Sequence, residues 1–159
     1  MKKFIFQFVA LIVVIFAALL FYKGNVPAIP FISQPTQQRF VIINDTKIKV
    51  DVADTKEKRS KGLGGREKLA SDEGMLFLFE KEDKYSFWMK GLNFPLDFVW
   101  IKGEKVVDII QNAKQPDQGE SDESLPIYLP REPIDRMLEV NAGVVERLKI
   151  KVGDSVRIE

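Results

Sequence analysis

From Phe40 onward the apolar positions fall in short runs, some continuous and some at period two. Phe40-Val41-Ile42-Ile43 is followed by Asn44-Asp45, and then Ile48, Val50 and Val52 alternate with Lys47, Lys49 and Asp51. Alternation across a polar turn predicts a β-hairpin with one wet face. Asp54-Thr55-Lys56-Glu57 resembles a capping box, an acceptor at Asp54 followed three residues later by Glu57. It predicts a charged helix from about Thr55 to Lys61 that stops at Gly62. Met75–Phe79 has the length of a buried strand, and Tyr85–Met89 and Asp97–Ile101 read as further strands. Lys102-Gly103-Glu104 turns the chain into Val106–Ile110. Gln111–Ser124 lacks apolar spacing and reads as an exposed loop. Ile127–Leu129 and Ile134–Val140 follow as strands, Asn141-Ala142-Gly143 opens a short helix ending near Leu148, and Ser155–Ile158 closes the series. Some eight short strands with two short helices predict a mostly β fold, a small barrel or sandwich.

Ahead of this pattern lies a different one. Met1-Lys2-Lys3 precedes an unbroken apolar run from Phe4 to Tyr22, interrupted only by Gln7. At ~1.5 Å per residue this run spans roughly 28 Å, close to the thickness of a bilayer core. The run is longer than a usual signal-peptide core, and Val26-Pro27-Ala28 makes a poor cleavage site. The expectation is therefore a signal-anchor over residues 1–22 that contacts the lipid bilayer through Phe4–Tyr22. Secretion after signal cleavage is the alternative. Lys2 and Lys3 before the span, against Lys23 after it, place the N-terminus in the cytoplasm and the remainder outside. Residues 23–38 carry Pro27, Pro30 and Pro35 and read as an extended stalk, leaving residues 39–159 as the domain.

Composition narrows the chemistry. The 159 residues include no Cys and no His, with 24 basic and 23 acidic side chains. Thiol nucleophiles, thiolate or imidazole metal sites and His-based triads are thereby excluded, and the residues suggest neither a cofactor nor a metal. Lys2, Lys3 and Lys23 are the only charged side chains of residues 1–37, so the domain keeps 21 basic and 23 acidic groups, net −2. Such a balance argues against a nucleic-acid partner. Asp117, Glu120, Asp122 and Glu123 do not follow EF-hand spacing and read as a solvated loop. Gly62-x-Gly64-Gly65-Arg66 follows a helix instead of opening one, which suits a C-cap and tight turn better than a phosphate loop.

Several phrases carry a family likeness: Gly62-Leu63-Gly64-Gly65-Arg66, Gly74-Met75-Leu76-Phe77-Leu78-Phe79, Phe87-Trp88-Met89-Lys90, Pro95-Leu96-Asp97 and Leu138-Glu139-Val140-Asn141-Ala142-Gly143. In this order, over residues 41–158, they resemble the uncharacterised prokaryotic family called domain of unknown function 192. The resemblance implies a compact, mostly β domain, often behind a signal or anchor, and brings no established reaction with it. The chain departs from that pattern at Gly64, where methionine is usual, and at Gly91-Leu92, where many relatives have Asn-Thr.

The polar residues of these phrases form the candidate ligand site: Arg66, Trp88, Lys90, Asp97 and Glu139. Asp97 precedes an apolar strand, so its carboxylate is drawn inward and needs a partner. Arg66 and Lys90 are natural ion-pair partners, and capping of nearby loop amides is the alternative. Glu139 faces opposite to Leu138 and Val140, and so looks at solvent or a cleft. Alternation puts Ser86, Trp88 and Lys90 on one face and Tyr85, Phe87 and Met89 on the other, making Trp88 the aromatic to expose. These residues fit a binding or interaction module at the cell envelope, with a glycan, peptide or protein partner. The enzymatic alternative is a hydrolase of an envelope polymer using Asp97 and Glu139 as paired carboxylates. A purely structural domain of a membrane complex is the third reading.

Overall fold

The computed structural model describes residues 38–159 and, ahead of them, Ile12. The expected span and stalk otherwise lie outside the described residues. Among the described residues, no helix is long and apolar enough to cross a membrane.

The hairpin forms as the alternation predicts, from β1 (Arg39–Ile43) and β2 (Thr46–Ala53). Asn44 and Asp45 both adopt positive φ, 50° and 60°, the turn geometry that matches strand twist. The helix α1 covers Lys56–Lys61 and ends at Gly62 with φ 51°. Its N-cap corrects the expectation: Thr55, not Asp54, accepts the Lys58 N–H, while Asp54 forms an ion pair with Lys58 at 2.7 Å. The chain then enters β3 (Glu73–Asp83), which runs parallel to β2, so α1 and the loop after it make a crossover connection. β4 (Leu96–Lys102) and β5 (Lys105–Ala113) form a second hairpin, followed by β6 (Ile134–Asn141), α2 (Val144–Arg147) and β7 (Val156–Ile158).

These seven strands make one sheet in the order β5-β4-β6-β3-β2-β1-β7. The sheet curls into a half-barrel, and Lys105 at the start of β5 bridges Ser155 just ahead of β7. Two expected strands are absent. Tyr85–Met89 and Ile127–Leu129 touch each other only through the bridge Phe87↔Tyr128, with N–H to O distances of 2.9 and 2.8 Å. Pro126 and Pro130 bracket the second segment, and proline removes the donors that a longer ladder needs. The burial alternation of the first segment survives without a strand: Phe87 and Met89 are buried, Ser86, Trp88 and Lys90 exposed.

Because each strand presents successive side chains to opposite faces, the sheet carries two cores. The inner face joins Val41, Val50, Leu76, Val99, Leu138 and Val140, and α2 closes it with Val144 and Val145. The outer face joins Met75, Phe77, Phe98, Trp100 and Met137, covered by Leu63, Phe87 and Met89 from the loops. Between these layers β3 and β6 approach closely at Gly74: a Cβ there would lie 2.6 Å from the Glu139 carbonyl oxygen and 3.1 Å from the side chains of Leu138 and Val140. Gly74→Ala is therefore expected to cost about 1–3 kcal/mol, since the obstructing atom is backbone. Urea unfolding checks this, and a change under about 0.5 kcal/mol would mean that β3 and β6 separate freely.

Candidate functional site

Glu139 lies in the middle of β6, opposite Met75 of β3 and Phe98 of β4. It faces away from Leu138 and Val140, as expected, but onto a covered face, and it is only 5% exposed. Apolar neighbours on both flanking strands remove its hydration. Burial accordingly pushes its carboxyl up to about 8, and the Arg66 guanidinium opposes this without prevailing. Among the described residues no donor hydrogen-bonds the Glu139 carboxyl. At neutral pH it is a protonated acid.

Glu139 and Phe77 form the floor of a cleft of about 300 Å³. One wall is the last turn of α1, Arg59 to Gly62, with Leu63. The other is aromatic: Phe79, Tyr85, Phe87 and Trp88, continued by Lys90 and Leu92. Phe79 and Tyr85 stack at 3.6 Å between centroids, and Phe87 meets Phe77 edge-on at 5.2 Å. Arg59 is held over the Phe79 ring at 5.3 Å while its Nη1 donates to the carbonyls of Asp54 and Leu78 at 2.9 and 2.7 Å. Trp88 is 44% exposed and carries the Lys90 ammonium 5.1 Å from its ring centre.

Neither wall is regular structure throughout, so backbone contacts between loops hold it. The Gly65 N–H donates to the Gly91 carbonyl and Asn93 Nδ2 to the Arg66 carbonyl, both at 2.9 Å. The phrases Gly62–Arg66 and Phe87–Lys90 are thereby stitched into one unit. Gly62 and Gly65 take positive φ, 51° and 76°, in the tight turn that follows the helix. At Gly64 a Cβ would come 3.0 Å from the Lys61 carbonyl oxygen, so the missing side chain lets the turn fold tightly against α1.

The structure unites part of the expected site. Trp88, Lys90 and Glu139 line the cleft. Arg66 acts on Glu139 through its charge but lies outside the lining, and pairs with Asp51 at 2.7 Å. Asp97 is not part of it. It sits opposite Val140 in the β4–β6 ladder, one step from the Phe98–Glu139 pair, and therefore points to the other face. Its partner is neither Arg66 nor Lys90: Oδ1 accepts the Asn112 N–H at 2.9 Å and Oδ2 the Val145 N–H at 3.0 Å. Capping of amides, not an ion pair, satisfies it. Lys90 pairs instead with Asp122 of the acidic loop. Arg59 and Lys61 were absent from the expected set, and the cluster of basic residues directly ahead of Gly62 was the signal for them.

Two measurements follow from the contrast between the carboxylates. For Glu139, the folded state retains a proton up to about 8, against 4.5 for an exposed glutamate, so between those values the unfolded state binds fewer protons. Stability is then full below 4.5 and falls as pH rises through about 8, by at most about 1.4 kcal/mol per pH unit. Glu139→Gln is expected to flatten that slope in denaturant titrations taken across this range; an unchanged slope would mean Glu139 is ionised when folded. For Asp97, replacing one acceptor oxygen by an amide donor in Asp97→Asn is expected to cost about 1–3 kcal/mol. Chemical unfolding measures it, and a neutral result would mean that α2 does not depend on this contact.

The chain matches the family model of domain of unknown function 192, described as an uncharacterized ACR, over residues 39–158. Among solved structures it is similar to a Sinorhizobium meliloti protein provisionally described as a transcription regulator. The two are 31% identical with a TM-score of 0.65, and the match covers 76% of this chain and 91% of that one. It is likewise similar to a protein of unknown function from Novosphingobium aromaticivorans, at 29% identity and a TM-score of 0.65, covering 78% and 89% of the two chains. No protein with a curated description matches. With residues 39–158 matched in one stretch, the whole curled sheet and its cleft included, the chain belongs to the family of domain of unknown function 192.

Proposed function

We propose that this domain is a binding module whose ligand sits in the cleft above Glu139, held at the outer face of a membrane by the Phe4–Tyr22 segment. The observation that carries the reading is the Glu139 carboxyl itself: on a residue only 5% exposed, without a hydrogen-bond partner among the described residues, and opening on the cleft. A hydrogen bond from a ligand to a carboxyl set back from bulk water contributes of order 1 kcal/mol, more when one partner is charged. The cleft volume, about 300 Å³, lies at the small end of ligand sites, and aromatic walls with one convergent polar group are their usual lining. Envelope-side placement is supported by Lys2 and Lys3 ahead of the apolar run.

The paired-carboxylate reaction has no support in this arrangement, because Asp97 spends both oxygens on backbone amides of the opposite face. Nor is the regulator description of the Sinorhizobium protein adopted, since a domain of net charge −2 offers little attraction to a phosphate backbone.

A thermal-shift screen of the purified full-length chain against small aromatic and aliphatic compounds tests the cleft. Trp88→Ala is expected to weaken any hit about tenfold, the scale of losing one aromatic wall. A hit that stabilises wild type and variant alike would remove Trp88 from the site. For placement, a reporter fused after Tyr22 is expected to be active only outside the cytoplasm.

A further inference from the structure

We infer that the cleft takes an apolar carboxylic acid, its hydrocarbon body against Phe79 and Tyr85 and its carboxylate at Glu139, in a lining that also carries Lys61. The inference rests on the reading of the cleft as a binding site and names the class of ligand. Its basis is the charge of the lining. Glu139 is the single acid there, against the cations Arg59, Lys61 and Lys90. The cations of the lining, with Arg66 near Glu139, divide into those that have an acidic partner and one that has none. Arg66 is held by Asp51, Arg59 lies 3.8 Å from Glu80, and Lys90 is held by Asp122. Tyr85 directs its hydroxyl away, donating to the Lys81 carbonyl at 2.8 Å. Lys61, exposed at the end of α1, has no acidic partner among the described residues. A bound anion completes that set and a bound cation does not.

Glu139 suits the same ligand through its protonation. A neutral carboxylic acid donates its O–H to a carboxylate, and two carboxyl groups sharing one proton make a stable pair. Raising pH through about 8 ionises Glu139 and turns that donor into a repelling charge. An amine would bind in the opposite sense, more tightly as Glu139 ionises. The sign of the pH dependence therefore separates an acceptor from an amine, and comparison with the neutral amide separates the anion from a neutral acceptor.

The acid has two sources, a free small molecule or the carboxyl terminus of a polypeptide ending in an apolar residue. A feature beside the cleft separates them. Ile127 and Leu129, 59% and 53% exposed, flank the Phe87↔Tyr128 bridge next to Trp88 and Ser86 of the lining. A chain end has further residues to lay on this ridge, and a free acid does not.

The test is calorimetric titration of the full-length chain with phenylacetate, phenylacetamide and phenethylamine. A parallel titration uses an alanine peptide ending in Phe, with its terminus free or amidated. Phenylacetate is expected to bind at least about fivefold more tightly than the amide, with no saturable binding of the amine. Its affinity is expected to fall by about tenfold per pH unit above pH 8. Lys61→Ala, on an exposed helix surface, is expected to weaken it about three- to tenfold. Glu139→Gln keeps a donor at the floor, and is expected to retain binding while losing the pH step. If Ile127→Ser weakens the free-terminus peptide and leaves phenylacetate unchanged, a chain end is the natural source; equal responses assign the free acid. Amide binding equal to the acid, or affinity that rises with pH, overturns the carboxylate inference while leaving the cleft as a binding site. If no probe binds wild type, both readings fall.

Discussion

The carboxylate of Asp97 ties together by hydrogen bonds three parts of the fold that otherwise meet through the apolar inner core. From the start of β4 it accepts one N–H from Asn112 near the end of β5 and another from Val145 in the first turn of α2. A four-residue helix has no stability of its own, so α2 depends on this contact and on burial of Val144 and Val145. The contact also secures the β4–β6 register, since Asp97 must face the inner core where α2 lies. With Asp97 opposite Val140, the next pair is Phe98 with Glu139, on the outer face. A slip of one residue would exchange the two faces and leave both carboxylates in the wrong surroundings.

Two acids on adjacent rungs thus meet opposite environments. Asp97 is buried with both oxygens hydrogen-bonded. Glu139 is buried with none, and desolvation leaves it neutral near physiological pH. The difference comes from what covers each face. A helix N-terminus, rich in unpaired N–H groups, closes the inner side, whereas aromatic rings and aliphatic side chains close the outer one. The loops that cover the outer side are joined through Gly65 and Gly91 main-chain atoms, so backbone bonds and aromatic packing together set the shape of the cleft.

Much of the sheet was legible because its strands are short apolar runs or alternating segments bounded by turn residues. The β1–β2 hairpin follows from period two and its turn, the core of β3 from the length of an apolar run, and β4, β5 and β6 from short apolar segments between turns. Tyr85–Met89 misled because an alternating segment packed against a core has the same pattern whether or not it joins a ladder. The parallel pairing of β2 with β3 was not legible, since nothing local in either strand specifies its neighbour. For the candidate site, alternation correctly separated Trp88 and Lys90 from Phe87. It also turned Glu139 away from Leu138, but not the covering layer that makes Glu139 buried. That layer comes from loops distant in sequence, as do the amides that hold Asp97.

The seam between Lys105 and Ser155 has a consequence for how the domain is made. β1 pairs on one side with β2 and on the other with β7, and the segment leading into β7 also meets the beginning of β5. The earliest strand of the domain therefore lacks its second neighbour until its latest strand has emerged. Contacts of such large sequence separation form slowly. During synthesis the chain remains open along this seam, with one side of β1 unpaired, and its inner core seals only when the domain is complete.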